Sequence, residues 1–489
     1  MLMGWSEPKF RKSKKKFRFR KSKKGKMKTS KEKVRACDFI TGVLVCLLLV
    51  WLFLLVNYFY HRTDSEFLHP QSMQFHHQIE TKGSTSLRAQ PEVIEESIPL
   101  SGPEEDNNIH IIFSTDCQEY QDWQSLLLFH SAYVVGQRGR ITRIASGCEP
   151  EKAALLSALY KRLYPRYDVH FTPDFSKDAK TNARYKFYNK PRGLKHWLEF
   201  ANPPVGDNAI VALLDPDMIF LRPLTTDLIN DPNLLYDTRY YKKHNYEFPK
   251  KVEEGSPAAQ LYGLGAPWTN ENHRHFNKTI LCGTGSPCLS VESNFGEHHY
   301  SVGPPYFVHK KDMIRLANTW TNLVPKVYEK YPFLLAEMYA YSMAAAHEVL
   351  PHTSVHHYMV SNTQAGGEGW DHVDALENIC VRRDSVSNLF YPNSKLPILL
   401  HYCQSYGASS VGTFSKHNVH ENTYFNCSST FTPFTLPSDP QKVAENEAIP
   451  SGLERKQRNT LIFNRRSAFA LCVIYDAINH AYDDFKRKC

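Results

Sequence analysis

The sequence predicts an α/β fold with a mainly parallel sheet, anchored by one N-terminal transmembrane helix. Short apolar segments alternate with segments of helical periodicity between residues 109 and 214, a pattern typical of strand–helix–strand units. Residues 39–60 form a run of 22 residues without a charge, soon after a basic segment. The chain has 489 residues, of which 42% are hydrophobic, and this composition excludes a disordered or collagen-like protein.

The basic side chains are concentrated at the N-terminus. Residues 1–36 contain 16 of the 59 Lys and Arg residues and only two acids, Glu7 and Glu32. Without these residues the chain has more acids than bases, so the formal net charge of +9 does not describe the remainder. We therefore expect no nucleic-acid partner, and residues 1–36 are predicted to be a cytosolic tail.

Residues 37–60 are predicted to be a transmembrane signal anchor. As a helix rising about 1.5 Å per residue, the uncharged run spans the roughly 30 Å hydrocarbon layer of a bilayer. A buried core helix is the alternative, but core helices are rarely so uniformly apolar or preceded by a basic run. The segment is too long for a signal peptide and lacks a small-residue cleavage site, so we expect it to be retained. Because the bases precede it, the rest of the chain is predicted to be lumenal or extracellular.

Three regions are predicted after the anchor. Residues 61–107, rich in Gln, Ser, Glu, His and Pro, read as an extended stem, residues 108–430 as the lumenal domain, and residues 431–489 as a linker and packing helix. Nine cysteines lie beyond the anchor, an odd number that leaves at least one without an intrachain partner. Cys282 and Cys288 are the predicted local bridge. Sequons for N-glycosylation begin at Asn277 and Asn426, as expected of a secretory lumen.

The elements of the domain are predicted from apolar periodicity. Strands are predicted at residues 109–113, 140–145, 169–171, 209–214 and 398–401. Helices are predicted at residues 123–135, 151–164, 191–200, 310–328, 332–347 and 459–486. Residues 249–305, rich in Gly, Pro and Asn, are predicted to be irregular loops.

Two carboxylates follow the most apolar of these strands. Residues 209–214 lead into Asp215 and Asp217, which are separated by one proline and followed by further apolar residues. Ligands of open α/β sheets bind at the carboxyl ends of strands, and two adjacent carboxylates repel each other unless a cation lies between them. An exposed turn that ends a strand is the alternative. The apolar flanks favour a metal site, and oxygen ligands select Mn²⁺ or Mg²⁺.

Glu337 stands out because its neighbours in residues 333–341 are almost all apolar or aromatic. A buried carboxylate costs several kcal/mol unless it is paired or hydrogen-bonded, so its presence needs a reason. It is predicted either to form an ion pair with a nearby Arg or Lys or to line a substrate pocket.

Seven segments resemble one known family. The chain resembles the plant and algal glycosyltransferases that include peptidyl serine α-galactosyltransferases and hydroxyproline O-arabinosyltransferases. The matching segments occur in the same order at residues 113–124, 140–143, 189–191 with 196–198, 214–219, 262–263, 337–341 and 401–402. Residues 113–124 and 140–143 are closer to the serine galactosyltransferase branch, so galactose is the favoured sugar.

The resemblance implies a GT-A-type nucleotide-sugar-binding fold in a type II membrane protein of the Golgi or ER. It implies a Mn²⁺-dependent (or Mg²⁺-dependent) enzyme that moves a sugar from a UDP-sugar to a Ser or hydroxyproline hydroxyl of a protein or peptide, with retention at the anomeric carbon. Two alternatives stay open. One is a hydroxyproline O-arabinosyltransferase, and the other is a catalytically silent binding or scaffold protein with the same fold.

The resemblance also implies roles for single residues. Asp215, Asp217 and His401 would hold the metal, although a hydrogen-bonded strand-end histidine is an equal alternative for His401. Glu337 would stabilise positive charge at the anomeric carbon or orient a donor hydroxyl, which with Asp217 makes the catalytic pair.

Four further residues are candidates for binding the nucleotide. Thr115 and Asp116, just past the first strand, are placed to contact uridine. Lys190 and Lys416 are candidates for the departing diphosphate, although an ordinary surface lysine is the favoured interpretation of Lys416.

Overall fold

The computed structural model describes residues 108–224, 235–249, 251–380, 396–408, 410–419, 427–446 and 454–489, without the side chains of 446 and 454–459. The predicted tail at 1–36, anchor at 37–60 and stem at 61–107 lie outside these residues, as does Asn426. Within the described ranges, no helix has both the length and the apolar character that crossing a membrane requires.

The described elements follow one another along the chain. The strands are β1 (Ile109–Asp116), β2 (Arg140–Ser146), β3 (Tyr167–Thr172), β4 (Ile210–Leu214), β5 (Met218–Phe220), β6 (Ala258–Leu261), β7 (Val302–His309), β8 (Thr353–Val355), β9 (Met359–Val360), β10 (Leu399–His401), β11 (Tyr406–Ala408) and β12 (Gly412–Phe414). The helices are α1 (Glu119–Val134), α2 (Pro150–Leu163), α3 (Asn189–Phe200), α4 (Thr238–Lys243), α5 (Lys278–Cys282), α6 (Ser293–His299), α7 (Lys310–Lys330), α8 (Ala336–His347), α9 (Trp370–Asp374), α10 (Pro440–Asn446) and α11 (Glu454–Arg487).

A seven-stranded sheet in the order β3-β2-β1-β4-β7-β6-β8 organises these elements. Strands β1 to β4 are mutually parallel where they pair, β7 is antiparallel to β4 and β6, and β8 is parallel to β6. β4 is apolar at every position and fully buried, as expected for a parallel strand covered on both faces. The predicted α/β fold with a mainly parallel sheet is confirmed. Two smaller sheets, β5-β10-β9 and β11-β12, complete the described strands.

The prediction of irregular loops at residues 249–305 is wrong for β6, for the short helices α5 and α6, and for the start of β7. Gly303, Pro304 and Pro305 argue against a central strand, because proline cannot donate to a ladder. The pairing of β7 with β6 steps from Tyr306 opposite Ala259 directly to Gly303 opposite Gln260. The two prolines therefore lie at an irregularity where ladder hydrogen bonds are already interrupted, and a strand can include them.

The C-terminal helix α11 completes the core on one side of the sheet. Its residues Phe469, Leu471, Ile474 and Ile478 are fully buried and belong to the same apolar cluster as α1. Helix α1 packs against both α11 and β5, which explains why its residues are buried around most of its circumference. The apolar residues of α11 therefore act as a packing face.

Four disulfides link the described residues. They join Cys117 to Cys148, Cys282 to Cys288, Cys380 to Cys472, and Cys427 to Cys489. The predicted Cys282–Cys288 bridge is confirmed. Cys403 is the free cysteine of the described ranges, in agreement with the odd number beyond the predicted anchor.

A neutral histidine in the core leads to a prediction about acid stability. His352 is fully buried; its Nδ1 lies 3.0 Å from the Leu350 carbonyl oxygen and must donate, so Nε2 accepts from Tyr341 at 2.8 Å. Burial lowers the pKa of His352 to about 3, against about 6.5 in an unfolded chain. Between these values only the unfolded state takes up the proton, so stability is lost as the pH falls below 6.5.

We therefore expect His352 to contribute a loss of about 2 kcal/mol in the free energy of unfolding between pH 7 and pH 5. Urea unfolding at a series of pH values measures this loss, and a His352→Gln variant should show a slope smaller by about one proton. The exposed His244 provides the matched control, His244→Gln. Equal slopes for the wild type and His352→Gln would contradict the prediction.

Candidate active site

The turn from Asp215 to Asp217 joins the large sheet to the small three-stranded sheet. β4 ends at Leu214 and β5 begins at Met218, so the two carboxylates occupy the crossing between the sheets. β10 pairs antiparallel with β5 and places His401 opposite Met218. The backbone N–H of Tyr402 also donates to the carbonyl of Asp217 at 3.0 Å. This register is what brings a histidine to a pair of acids that lies 184 residues away in sequence.

Asp215, Asp217 and His401 form a group that could hold one divalent cation. Their ligand atoms all lie within 4.8 Å of one another. His401 Nε2 is 3.1 Å from Asp217 Oδ1 and 3.8 Å from Asp215 Oδ2. Two carboxylate oxygens and an imidazole nitrogen suit Mn²⁺, and the protein therefore has the donor set that the metal would need. His401 Nδ1 is buried without a hydrogen-bond partner among the described residues.

Lys416 contacts one of these carboxylates, that of Asp217. Its Nζ is 2.5 Å from Asp217 Oδ2, and its side chain is 19% exposed. The interpretation of Lys416 as an ordinary surface lysine is therefore wrong. The sequence could not reveal this contact, because the two residues are 199 positions apart and Lys416 lies in a short 3₁₀ turn beyond the β11-β12 hairpin.

Lys190 and Glu337 form the second half of the charged cluster. Lys190, in the first turn of α3, places Nζ 2.7 Å from Asp215 Oδ1 and 3.4 Å from Glu337 Oε1. Glu337, in the first turn of α8, is 4% exposed. The expected ion pair of Glu337 with a lysine is confirmed, and that lysine also contacts Asp215, whereas a role in lining a substrate pocket stays a prediction. The structure thus brings Asp215, Asp217, Lys190, Glu337, His401 and Lys416 together.

Asp217 and His401 hold each other in their ionised forms. Burial alone would raise the pKa of Asp217, but the neighbouring His401 and Lys416 outweigh burial and lower the pKa below its ordinary value. Burial would likewise lower the pKa of His401, and the adjacent Asp217 and Asp215 raise it instead. A cation that bound these carboxylates would therefore replace positive charge already present.

Lys190 and Glu337 respond to burial in opposite ways. Burial would lower the pKa of Lys190, yet Asp215 and Glu337 keep it well above its ordinary value, so the ammonium is charged. Burial raises the pKa of Glu337, Lys190 partly opposes this, and Asp215 adds to it. The result is a charged lysine held between Asp215 and Glu337.

Thr115 and Asp116 lie at the carboxyl end of β1, beside β4. The register pairs Phe113 with Leu214, which places the ends of both strands at the same edge of the sheet. Thr115 is buried and its hydroxyl accepts from Arg143 Nε at 2.8 Å. Asp116 is half-buried, and burial raises the pKa of its carboxyl. Their contact with uridine stays a prediction.

A loop at residues 361–370, linked to His401 through Tyr406, was not anticipated from the sequence. Glu368 accepts from the Ser361 hydroxyl at 2.6 Å and from Trp370 Nε1 at 3.0 Å, which closes the loop between them. Tyr406 Oη lies 2.8 Å from the Ser361 carbonyl oxygen and 3.0 Å from that of His401. The signal available in the sequence was an acid among glycines in residues 365–369, which reads equally well as an exposed loop.

Comparisons with known proteins agree with the predicted resemblance. No protein-family model matches the chain. The peptidyl serine alpha-galactosyltransferase of Arabidopsis thaliana is 27% identical over 349 residues, a match that covers 70% of this chain and 35% of that protein. The protein of the same name from Chlamydomonas reinhardtii is 27% identical over 263 residues, covering 50% of this chain and 30% of that protein. The chain thus spans about a third of the length of these curated relatives, and its similarity to peptidyl serine α-galactosyltransferases is confirmed.

Solved glycosyltransferase structures are also similar, at low identity. The galactosyltransferase LgtC in complex with donor and acceptor sugar analogs is 10% identical, with a TM-score of 0.32 and a match that covers 72% of this chain and 99% of that chain. The bifunctional glycosyltransferase WbbM in its apo form is 9% identical, with a TM-score of 0.32 and coverage of 62% and 47%.

Proposed function

We propose that the chain is a metal-dependent glycosyltransferase that moves a sugar, with galactose favoured, from a UDP-sugar to a Ser or hydroxyproline hydroxyl of a protein. The observation that carries the proposal is the Asp215–Asp217–His401 group beside two lysines, at the carboxyl end of a central strand. The sequence similarity to two proteins named peptidyl serine alpha-galactosyltransferase supports the sugar and the acceptor. A GT-A-type arrangement of the α/β domain is part of the proposal.

The charged groups of the chain have distinct roles in this reaction. Asp215, Asp217 and His401 would hold Mn²⁺ or Mg²⁺, which when bound offsets the charge that develops on the leaving diphosphate. Lys190, beside Asp215, and Lys416, beside Asp217, present ammonium groups at the site and would bind phosphate oxygens directly. Thr115 and Asp116, at the end of β1, would contact the uridine.

Glu337 acts as a stabiliser in the proposed mechanism. Transfer with retention allows the leaving phosphate oxygen to take the acceptor proton, so the chain need not supply a base. Glu337 lies against Lys190 and is almost fully buried, a position that suits orientation of the sugar and stabilisation of positive charge at the anomeric carbon.

The proposed location is the Golgi or ER membrane, with the domain from residue 108 onward in the lumen. The four disulfides of the described residues support an oxidising compartment. The basic tail and the uncharged run of residues 39–60 support a single-pass type II anchor.

The proposal is tested by incubating the purified full chain with a panel of UDP-sugars, Mn²⁺ and peptides that contain Ser or hydroxyproline. We expect UDP release and a peptide whose mass increases by one hexose. A mass increase of one pentose on hydroxyproline would support the arabinosyltransferase alternative. If no UDP-sugar is hydrolysed or transferred, with or without Mn²⁺, the proposal fails and a silent binding protein is the better description.

A further inference from the structure

Tyr262 follows strand β6 at the same edge of the sheet as the charged cluster. β6 is antiparallel to β7, and β7 is antiparallel to β4, so β4 and β6 point in the same direction. Their carboxyl ends therefore lie at one edge, where Asp215 follows β4 and Tyr262 follows β6. Strand β7 lies between them, and its first residues, including Gly303, are at this edge.

The absence of a side chain at Gly303 makes space for the ring of Tyr262. A Cβ atom at Gly303 would lie 2.5 Å from Cδ2 and 2.6 Å from Cγ of Tyr262, distances that no side chain tolerates. The ring thus lies across the backbone of the strand that separates β6 from β4. Cε of Met338, the residue after Glu337, would be 2.9 Å from the same Cβ. The ring is therefore placed close to the helix turn that carries Glu337.

The backbone of Tyr262 is fixed while its hydroxyl is unpaired. Its N–H donates to the Ser301 carbonyl at 3.0 Å, and the Ser301 hydroxyl donates to the Tyr262 carbonyl at 3.0 Å. The side chain is half-buried, and its Oη forms no hydrogen bond with any described residue. A polar group held in place near charged groups, without a partner of its own, is suited to a ligand.

Nearby acidic groups affect the pKa of this hydroxyl. Burial raises the pKa of Tyr262 well above its ordinary value, and Cys403, Asp215, Glu368 and Asp217 raise it further. The phenol is therefore held in its protonated form, which can donate a hydrogen bond.

We propose that Tyr262 is a sugar-binding residue of the donor site: its hydroxyl donates to an oxygen of the transferred sugar, and its ring covers an apolar patch of the same sugar. This inference rests on the proposed function and adds a residue that determines which sugar is accepted. The donor sugar is the favoured ligand, rather than the acceptor, because the ring lies against Gly303, in the strand that pairs with β4, and close to Met338, which follows Glu337.

The test separates the donor from the acceptor by measuring two reactions of the full chain. One is the Mn²⁺-dependent hydrolysis of UDP-galactose without a peptide, and the other is transfer to a Ser-containing peptide. For Tyr262→Phe, which keeps the ring, we expect kcat/KM to fall about tenfold in both reactions because one hydrogen bond to the sugar is lost. The affinity for UDP, measured by calorimetry, should not change.

A matched control removes a hydroxyl nearby. Tyr300→Phe deletes the hydroxyl of a buried tyrosine that lies just before strand β7, the strand that contains Gly303. Burial raises the pKa of Tyr300, and no acid of the site contributes to the shift. Both rates of this variant should stay within a factor of two of the wild type. Unchanged hydrolysis with reduced transfer in Tyr262→Phe would overturn the donor assignment and place Tyr262 at the acceptor. Unchanged rates in both reactions would overturn the inference as a whole, whereas a wild-type protein that turns over no UDP-sugar would overturn the proposed function first.

Discussion

The Asp217→Ala protein should transfer sugar about two to three powers of ten more slowly than the wild type at saturating Mn²⁺. Asp217 contacts two basic side chains, His401 at 3.1 Å and Lys416 at 2.5 Å. Its loss removes a ligand for the proposed metal and leaves a buried imidazole and an ammonium without their shared acid. Initial rates across a Mn²⁺ series measure the effect, and turnover that stays unchanged would contradict the assignment.

Lys416→Gln is the matched control for the lost ion pair. It breaks the same contact with Asp217 but keeps the carboxylate, so metal binding and ion pairing are separated. Because a bound cation must displace the ammonium from Asp217, we expect Lys416→Gln to bind Mn²⁺ more tightly than the wild type in the absence of donor. Asp217→Ala should bind Mn²⁺ more weakly. Equilibrium titration with Mn²⁺ distinguishes the two variants, and equal shifts in the same direction would contradict this account.

The parts of the site that could be predicted were those encoded by neighbouring residues. The strand before Asp215 and the acid that follows at Asp217 form a continuous pattern, and β4 is an apolar run of the kind that a doubly covered strand requires. The apolar surroundings of Glu337 likewise indicated burial and a need for a partner. In each case the chemistry followed from residues within a few positions of one another.

The contacts that could not be predicted join distant residues through the sheet registers. Lys416 was interpreted as a surface residue because nothing near it in sequence indicates that β10 and β11 bring it to Asp217. Strand β7 was missed because Pro304 and Pro305 are untypical of a central strand. The contact of Tyr262 with Gly303 in that strand was therefore missed as well. Pairing between strands, not local propensity, decides these positions.

The network around Arg143 explains how the end of β1 is held in place. Arg143 is fully buried and donates to Asp122 at 2.6 Å, to Tyr160 at 2.7 Å and to the Thr115 hydroxyl at 2.8 Å. It also reaches the Asp116 carbonyl at 3.2 Å. The side chains proposed to meet the uridine thus depend on a single buried cation, whose counter-ion is Asp122.

Asp122→Ala should therefore lower the free energy of unfolding by about 3–5 kcal/mol, because it leaves the guanidinium of Arg143 buried without its acid. Denaturant unfolding measures the loss. Asp168→Ala is the control: Asp168 pairs with Arg140 at 2.7 Å, but the two side chains are 48% and 38% exposed, and such pairs contribute less than about 1 kcal/mol.

The double variant Asp122→Leu/Arg143→Leu distinguishes charge from packing. It removes both members of the buried pair, so it should recover a large part of the stability that Asp122→Ala loses. It would also release Thr115 and Asp116 from Arg143, and we expect its affinity for UDP to stay reduced even where its stability recovers. If Asp122→Ala were as stable as Asp168→Ala, Arg143 would not depend on Asp122 for its charge balance, and the proposed link between this pair and the nucleotide end of β1 would be wrong.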